Sequence, residues 1–165
     1  MEHNYHPVNQ IQTDWILARK AADPEVTGHL KAGGTIFPHC YTTGWLVCAE
    51  GPERGRDHRL RFGYNRIGRR YDLEVCLFED PAISRDVHCR VAYEEKSNSF
   101  YLVPGEGTAT YLIVPDEQEA AGTKEVILLE SAPLKTGDRF RVGDTTLEFI
   151  AYCREGVTWT DKEMV

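Results

Sequence analysis

The sequence lacks a long hydrophobic run, which limits the classes of protein it can encode. No stretch of the 165 residues approaches the ~18 apolar residues that a membrane-spanning helix needs. Residues 1–12 are polar and acidic where a signal peptide would be basic and then apolar, so we expect no signal peptide. With 19 basic against 26 acidic residues, the chain also offers no dedicated surface for nucleic acid or anionic membrane.

Paired cysteines are also lacking. The five cysteines are odd in number, and no two of them are two or three residues apart. This spacing predicts neither a secreted disulfide framework nor a C-x-x-C zinc or redox site. We therefore expect a cytoplasmic protein that holds no metal and no cofactor.

Common catalytic motifs are absent as well. The sequence contains no G-x-S-x-G, no H-E-x-x-H and no Walker sequence. Ser84 and His88 could be paired as a nucleophile and a base, but no acid that would orient them is evident. The sequence therefore predicts a binding protein and not an enzyme.

The chain divides into an extension and a β-rich region. Before Asp23-Pro24, apolar residues at helical spacing predict one short amphipathic helix over about 10–22. From Trp45 onward, alternating apolar residues and recurrent turn residues predict a two-sheet antiparallel β-sandwich, an all-β fold. We expect an N-terminal extension over 1–43, the sandwich over 44–152 and a C-terminal tail over 153–165.

Within the sandwich, Gly143-Asp144 predicts a two-residue type II′ hairpin loop. Aromatic residues on strand faces are expected in the core, namely Trp45, Phe62, Phe100, Phe140 and Phe149. The predicted strands are 45–49, 58–62, 65–68, 74–78, 88–94, 99–103, 110–114, 125–130, 139–142 and 145–152.

Arginine is concentrated in one segment. Residues 54–70 contain seven arginines and one acid, Asp57, although the net charge of the whole chain is −7. Such a cluster indicates either a local anion site or the solvated face of a strand. The count alone does not separate these two readings.

Three predicted loops carry side chains suited to binding an anion. Gly68-Arg69 ends a strand and projects a permanently charged, fork-shaped guanidinium. The loop 81–88 contains Ser84, whose hydroxyl can donate a hydrogen bond, and His88, which can hold the loop. The third loop, 105–110, is rich in glycine and has two hydroxyl side chains.

These loops, in this order, resemble those of the forkhead-associated (FHA) domain, a β-sandwich that recognises phosphothreonine. The resemblance covers about 44–152 and includes the later Leu134-Lys135-Thr136-Gly137-Asp138 block that leads into Val142-Gly143. It implies a phosphopeptide-binding module in Ser/Thr kinase signalling, whose partner is a threonine-phosphorylated protein or a kinase.

By the same resemblance, the phosphopeptide contacts are expected at Arg69, Ser84, Arg85 and Thr108, with Gly68 as turn former and His88 as structural support. Three residues separate Ser84 from His88 where the family has two, and Asp86 among them adds a negative charge. Thr108 and Ala109 occupy the place of the family's asparagine. The alternative is a degenerate FHA-like scaffold that binds a protein without phosphate.

Overall fold

The computed structural model describes residues 41–159. Within this range the chain forms strands and no helix. The strands are β1 (Gly44–Glu50), β2 (Asp57–Leu60), β3 (Gly63–Gly68), β4 (Val75–Cys76), β5 (Val87–Glu94), β6 (Ser99–Pro104), β7 (Thr110–Pro115), β8 (Thr123–Ile127), β9 (Ala132–Leu134), β10 (Arg139–Val142) and β11 (Thr145–Ala151).

The predicted two-sheet β-sandwich is confirmed. A six-stranded sheet has the order β2-β1-β11-β10-β7-β8, and a five-stranded sheet has the order β4-β3-β5-β6-β9. Neighbouring strands among the described residues are antiparallel except β3 and β4, which are parallel and pair through Ile67–Val75 and Gly68–Cys76. The predicted strand 74–78 is paired over only two residues, because β3 ends at Gly68, the partner of Cys76.

Sequence reasoning missed β9. This strand pairs only with β6 among the described strands, through Phe100–Leu134, Tyr101–Pro133 and Leu102–Ala132. Pro133 at its centre argues against a strand, because proline cannot donate to a β-ladder. At the edge of a sheet that missing donor is tolerated.

The core lies between the two sheets. Phe140 and Phe149 of the six-stranded sheet and Val91 and Leu102 of the five-stranded sheet are fully buried. The rings of Phe100 and Phe149 connect the sheets, with centroids 4.7 Å apart. Burying side chains of this size stabilises the fold by about 1.5–3 kcal/mol each. This packing fixes the strand ends from which the loops extend.

Trp45 is not in the core, contrary to the prediction. Burial alternates along β1, and Leu46 occupies an inward position while Trp45 is half-buried on the outer side. Its ring meets Tyr152 edge to face, with centroids 6.0 Å apart. Trp159, by contrast, packs against the core, and its indole N–H donates to the carbonyl oxygen of Thr42 at 2.7 Å.

The β10–β11 hairpin has the predicted two-residue loop. Val142 pairs with Thr145 across it, and Gly143 has a φ of 55°. A positive φ at the first loop residue is what a type II′ turn requires. A Cβ at Gly143 would lie 2.8 Å from Ile83 Cγ1, so this turn packs directly on the loop that contains Ser84.

The predicted helix over about 10–22 lies outside the described residues, and the expected division into extension, sandwich and tail stays a prediction. In the part of the chain that the structure describes, no helix has the length and apolar character needed to cross a membrane. Cys48, Cys76, Cys89 and Cys153 form no disulfide with one another. No cluster of potential metal ligands occurs among residues 41–159.

Candidate functional site

Three loops meet at one end of the sandwich. The backbone N–H of Arg69 donates to the carbonyl oxygen of Ser84 at 3.2 Å. The Ser84 hydroxyl donates to the Thr108 hydroxyl oxygen at 2.7 Å. These two bonds connect the β3–β4 loop to the β4–β5 loop and the β4–β5 loop to the β6–β7 loop. The structure thus brings together three of the residues that sequence reasoning selected.

His88 supports this junction from inside. Its ring Nδ1 accepts the backbone N–H of Ser84 at 3.1 Å, and its Nε2 lies 3.0 Å from the carbonyl oxygen of Ala109. Because Nδ1 accepts, the proton must be on Nε2, which donates to Ala109. Burial lowers the pKa of His88, which keeps the ring in the neutral form that both bonds need. His88 therefore acts as a brace between two loops.

A β-bulge places the His88 ring there. Ile67 pairs with Cys89 and Gly68 pairs with Val87, so the register skips His88. In an unbroken strand successive side chains point to opposite faces, but here His88 and Cys89 are both buried. The bulge explains how His88 reaches the Ser84 loop even though three residues separate the two in sequence.

Gly68 is needed for space. A Cβ on Gly68 would lie 2.2 Å from the carbonyl oxygen of Asp86 and 2.5 Å from Leu73 Cδ1. Gly68 does not have a positive φ. Its expected role as a turn former therefore does not explain why a glycine is required at this position. The physical requirement is the close approach of the Ser84 loop to β3.

Arg70 pairs with Asp86, the acid that adds a negative charge to the Ser84 loop. Its guanidinium donates to Asp86 Oδ1 at 3.0 Å and to both carboxylate oxygens of Asp72 at 2.9 Å. Hydrogen bonding to Asp72 raises the pKa of Arg70, and the same bond lowers the pKa of Asp72. Asp86 is therefore paired, and its ion pair with Arg70 connects the β3–β4 loop to the β4–β5 loop at the surface.

Arg69 is in a different environment. Its Nε is buried and has no hydrogen-bond partner among the described residues. Among residues 41–159, its guanidinium also forms no salt bridge. A buried donor without a partner costs about 1–3 kcal/mol. An anion that accepts from this guanidinium would recover that free energy.

Arg85 is exposed beside Ser84 in the β4–β5 loop. In the described range its side chain has no ion pair and no hydrogen bond. It extends from the same loop as Ser84, and its position remains compatible with an additional donor to a ligand. The structure supports the grouping of Arg69, Ser84 and Thr108 more directly.

Asp80 is a residue that sequence reasoning missed. It is fully buried, and its Oδ1 accepts the backbone N–H of Ala82 at 2.9 Å. Its Oδ2 accepts the backbone N–H of Asp144 at 2.9 Å and the hydroxyl of Thr145 at 2.7 Å. Asp80 thus fastens the start of the Ser84 loop to the β10–β11 hairpin. Asp followed by proline signals a turn, but nothing local in the sequence indicates the partner 65 residues later.

The geometry agrees with a comparison of the chain with protein families. Residues 65–143 match the family model of the FHA domain. Over this segment the chain is similar to FHA domains. A search of the curated proteins finds no match.

Solved structures of FHA domains are similar to this one. The FHA domain of the CT664 protein from Chlamydia trachomatis is 15% identical with a TM-score of 0.53, and the similarity covers 67% of this chain and 99% of that one. An FHA domain of a hypothetical protein from Arabidopsis thaliana is 20% identical with a TM-score of 0.51, over 72% of this chain and 92% of the other. At these identities the similarity shows the fold.

A third structure comes from a study of phosphothreonine-dependent FHA domain interactions. It is 26% identical with a TM-score of 0.48, and the similarity covers 66% of this chain and 95% of the other. At the position where the sequence resemblance places the family's loop asparagine, the hydroxyl of Thr108 accepts a hydrogen bond from Ser84.

Proposed function

We propose that this FHA-like domain binds threonine-phosphorylated proteins, with the phosphate held by Arg69 and Ser84 and with Thr108 and Arg85 as further donors. The observation that carries the proposal is the buried Nε of Arg69, which has no partner among residues 41–159 and lies beside the loop that presents the Ser84 hydroxyl. A phosphothreonine has about −1.5 to −2 charges and three acceptor oxygens. A guanidinium and hydroxyl groups are suitable donors for those oxygens.

The Ser84–Thr108 hydrogen bond suggests how the hydroxyl groups act. Without ligand, Ser84 donates to Thr108 at 2.7 Å. Each hydroxyl can donate one hydrogen bond and accept two, so Ser84 can turn its proton to the phosphate while Thr108 donates to Ser84. Thr108 would then orient Ser84 and partly compensate for the missing asparagine.

A phosphothreonine ligand implies a Ser/Thr kinase that produces it. The proposed partner is therefore a substrate of such a kinase, or the kinase itself in its phosphorylated form, and the proposed role is in kinase signalling. The site accounts for capture of the phosphorylated segment, and its groups need no catalytic step to do so.

The test is a titration with a phosphothreonine peptide library and its unphosphorylated twin, followed by fluorescence polarisation. We expect the wild type to bind only the phosphorylated library and Arg69→Ala to lose that binding. Arg59→Ala is a matched control, because Arg59 is an exposed arginine on β2. Equal binding of both libraries would contradict the proposal.

Edge strand β8 favours a second candidate, phosphate-independent binding by an FHA-like scaffold. Val126, Ile127 and Leu129 are exposed by 42%, 47% and 80%. Among the described strands, β8 pairs only with β7. An open edge with apolar side chains can accept a strand from another protein. Binding of the unphosphorylated library that Val126→Lys abolishes would support this candidate.

A further inference from the structure

Strand β8 has a free edge that carries exposed apolar side chains. Among the described strands it pairs only with β7, in a continuous antiparallel register. Val126 and Ile127 are exposed, and so is Leu129, just after the strand. No proline lies between residues 123 and 130. An edge of this kind can pair with a strand of another chain.

A backbone bond shows which groups of β8 face this edge. The N–H of Leu128 donates to the carbonyl oxygen of Thr110 at 2.8 Å, on the side of β7. In an antiparallel pair the N–H and C=O of one residue point to the same neighbour, and those of the next residue point away from it. Thr123, Glu125 and Ile127 therefore present their N–H and C=O groups at the free edge.

These groups limit how two copies of the strand can pair. An antiparallel pair must place edge-facing residues opposite each other, because only these can exchange hydrogen bonds. In a symmetric pair both copies use the same surface. Both conditions are met when Ile127 lies opposite Ile127 of a second copy. In this register Val126 lies opposite Leu128 of the second copy, and Glu125 lies opposite Leu129.

The same register brings opposite charges together. Lys124 lies opposite Glu130 of the second copy, and the reciprocal pair forms at the other end of the contact. Among residues 41–159, neither side chain forms a salt bridge. Registers shifted by two residues place Lys124 opposite Leu128 or Glu130 opposite Val126, so each sets a charge against an apolar side chain. Facing residues of opposite charge stabilise a strand pair.

We infer that β8 pairs in antiparallel orientation with β8 of a second copy of this chain, about a twofold axis at Ile127. Val126 of each copy then packs between Leu112, its neighbour on β7, and Leu128 of the other copy. Because the two strands run in opposite directions, the two candidate sites face opposite ends of the dimer. The inference does not depend on phosphate binding.

The first experiment is sedimentation equilibrium of the full chain over a wide range of concentration. We expect the average mass to rise from that of one chain toward twice that value. Ile127→Lys sets two ammonium groups opposite each other at the twofold axis and should abolish the rise. Tyr64→Lys is the matched control, because Tyr64 is an exposed apolar residue on β3 of the other sheet. It should associate as the wild type does.

The second experiment tests the register by reversing charges. Lys124→Glu and Glu130→Lys each set like charges opposite each other and should raise the dissociation constant of the dimer at least about 5-fold. An equimolar mixture of the two single variants should recover the association, because every facing pair is again of opposite sign. The double variant should recover it as well. Both positions are exposed, and thermal unfolding checks that each variant keeps the fold.

Three results would overturn the inference. The first is the mass of one chain at every concentration. The second is a dimer that Ile127→Lys leaves intact, which would place the contact elsewhere. The third is a failure of the mixed charge variants to associate better than each variant alone. Phosphopeptide titration of Ile127→Lys keeps the test separate from the proposed function, since this variant should bind a phosphothreonine peptide as the wild type does.

Discussion

Within segment 54–70, Arg66 on β3 is paired with an acid, whereas Arg69, just after β3, has no such partner among the described residues. Arg66 on β3 donates to Glu74 at 2.8 and 3.0 Å, and hydrogen bonding to Glu74 raises its pKa. Arg69, three residues later, has a buried Nε with no acceptor in the described part of the chain. Similar residues close in sequence thus have opposite environments.

This contrast shows why a count of local charge did not identify the site. Arg56, Arg66 and Arg70 pair with acids that lie just outside segment 54–70, and Arg70 also pairs with Asp86, which the fold brings to it. What marks Arg69 is loss of water without compensation by an acid.

The largest effect should come from Arg69→Ala. Truncating a desolvated charged donor typically costs 2–5 kcal/mol of binding, so we expect phosphopeptide affinity to fall by at least about 30-fold. The free energy of unfolding should stay the same or rise, because the variant removes an unsatisfied buried donor. Calorimetric titration and urea denaturation measure the two quantities. A large loss of stability would show that Arg69 is a structural residue like Arg66.

Asp80→Ala tests whether a loop residue paired by the fold supports the site. The change leaves the Asp144 N–H and the Thr145 hydroxyl without their acceptor. We expect a loss of about 3 kcal/mol in the free energy of unfolding, because hydrogen bonds to charged groups are strong. Urea denaturation measures it, and Asp80→Asn, which keeps one acceptor, should lose less. Unchanged stability would contradict the role given to Asp80.

Lowering the pH should weaken the contact between the Ser84 loop and the β6–β7 loop, because His88 forms hydrogen bonds to both. Burial lowers the pKa of His88 in the folded state, so below about pH 6.5, the usual pKa of histidine, the unfolded chain binds more protons than the folded one. The free energy of unfolding should therefore fall as pH decreases below that value. His88→Gln, which can donate and accept but does not titrate, should flatten this dependence in urea denaturation. Parallel curves for the two proteins would contradict the prediction.

Thr108→Val tests the hydroxyl pair. Removing the partner of Ser84 deletes one neutral hydrogen bond, worth about 0.5–1.5 kcal/mol. We expect affinity for a phosphothreonine peptide to fall by about 2- to 12-fold, and Thr108→Ser to bind as the wild type does. Polarisation titration is sufficient. If Thr108→Ser were as weak as Thr108→Val, the methyl group and not the hydroxyl would be the important part.

Arg70→Ala should give the smallest effect. The variant unpairs Asp86 and leaves a negative charge in the Ser84 loop. The side chains are exposed, so the change in affinity should be only about 2- to 3-fold. The loss should be larger at low ionic strength, and adding Asp86→Asn should restore binding. Failure of that rescue would show that Arg70 contacts the ligand itself.

The fold was largely predictable because its signals are local. Alternation of apolar residues, turn residues and the Gly143-Asp144 loop all act within a few positions. Errors occurred where neighbours in space decided the outcome. Trp45 is apolar but belongs to the outer side of β1, and Pro133 lies in an edge strand that the sequence does not reveal.

The candidate site was predictable only in part. The order of Gly68-Arg69, Ser84 and His88 along the chain selected residues that the structure brings near one another. The contacts that arrange them depend on tertiary structure. The pairing of Asp86 with Arg70 and the bulge at His88 cannot be read from spacing, because each depends on which strand or loop lies alongside.

The attachment of Asp80 to Asp144 and Thr145 has a consequence for how the protein is made. A ribosome releases Arg69 and Ser84 well before it releases the last hairpin, so a nascent chain can display the guanidinium without a braced loop opposite it. Recognition must then wait until the β10–β11 hairpin has been made. A prematurely terminated product that stops ahead of this hairpin should fail to engage its target.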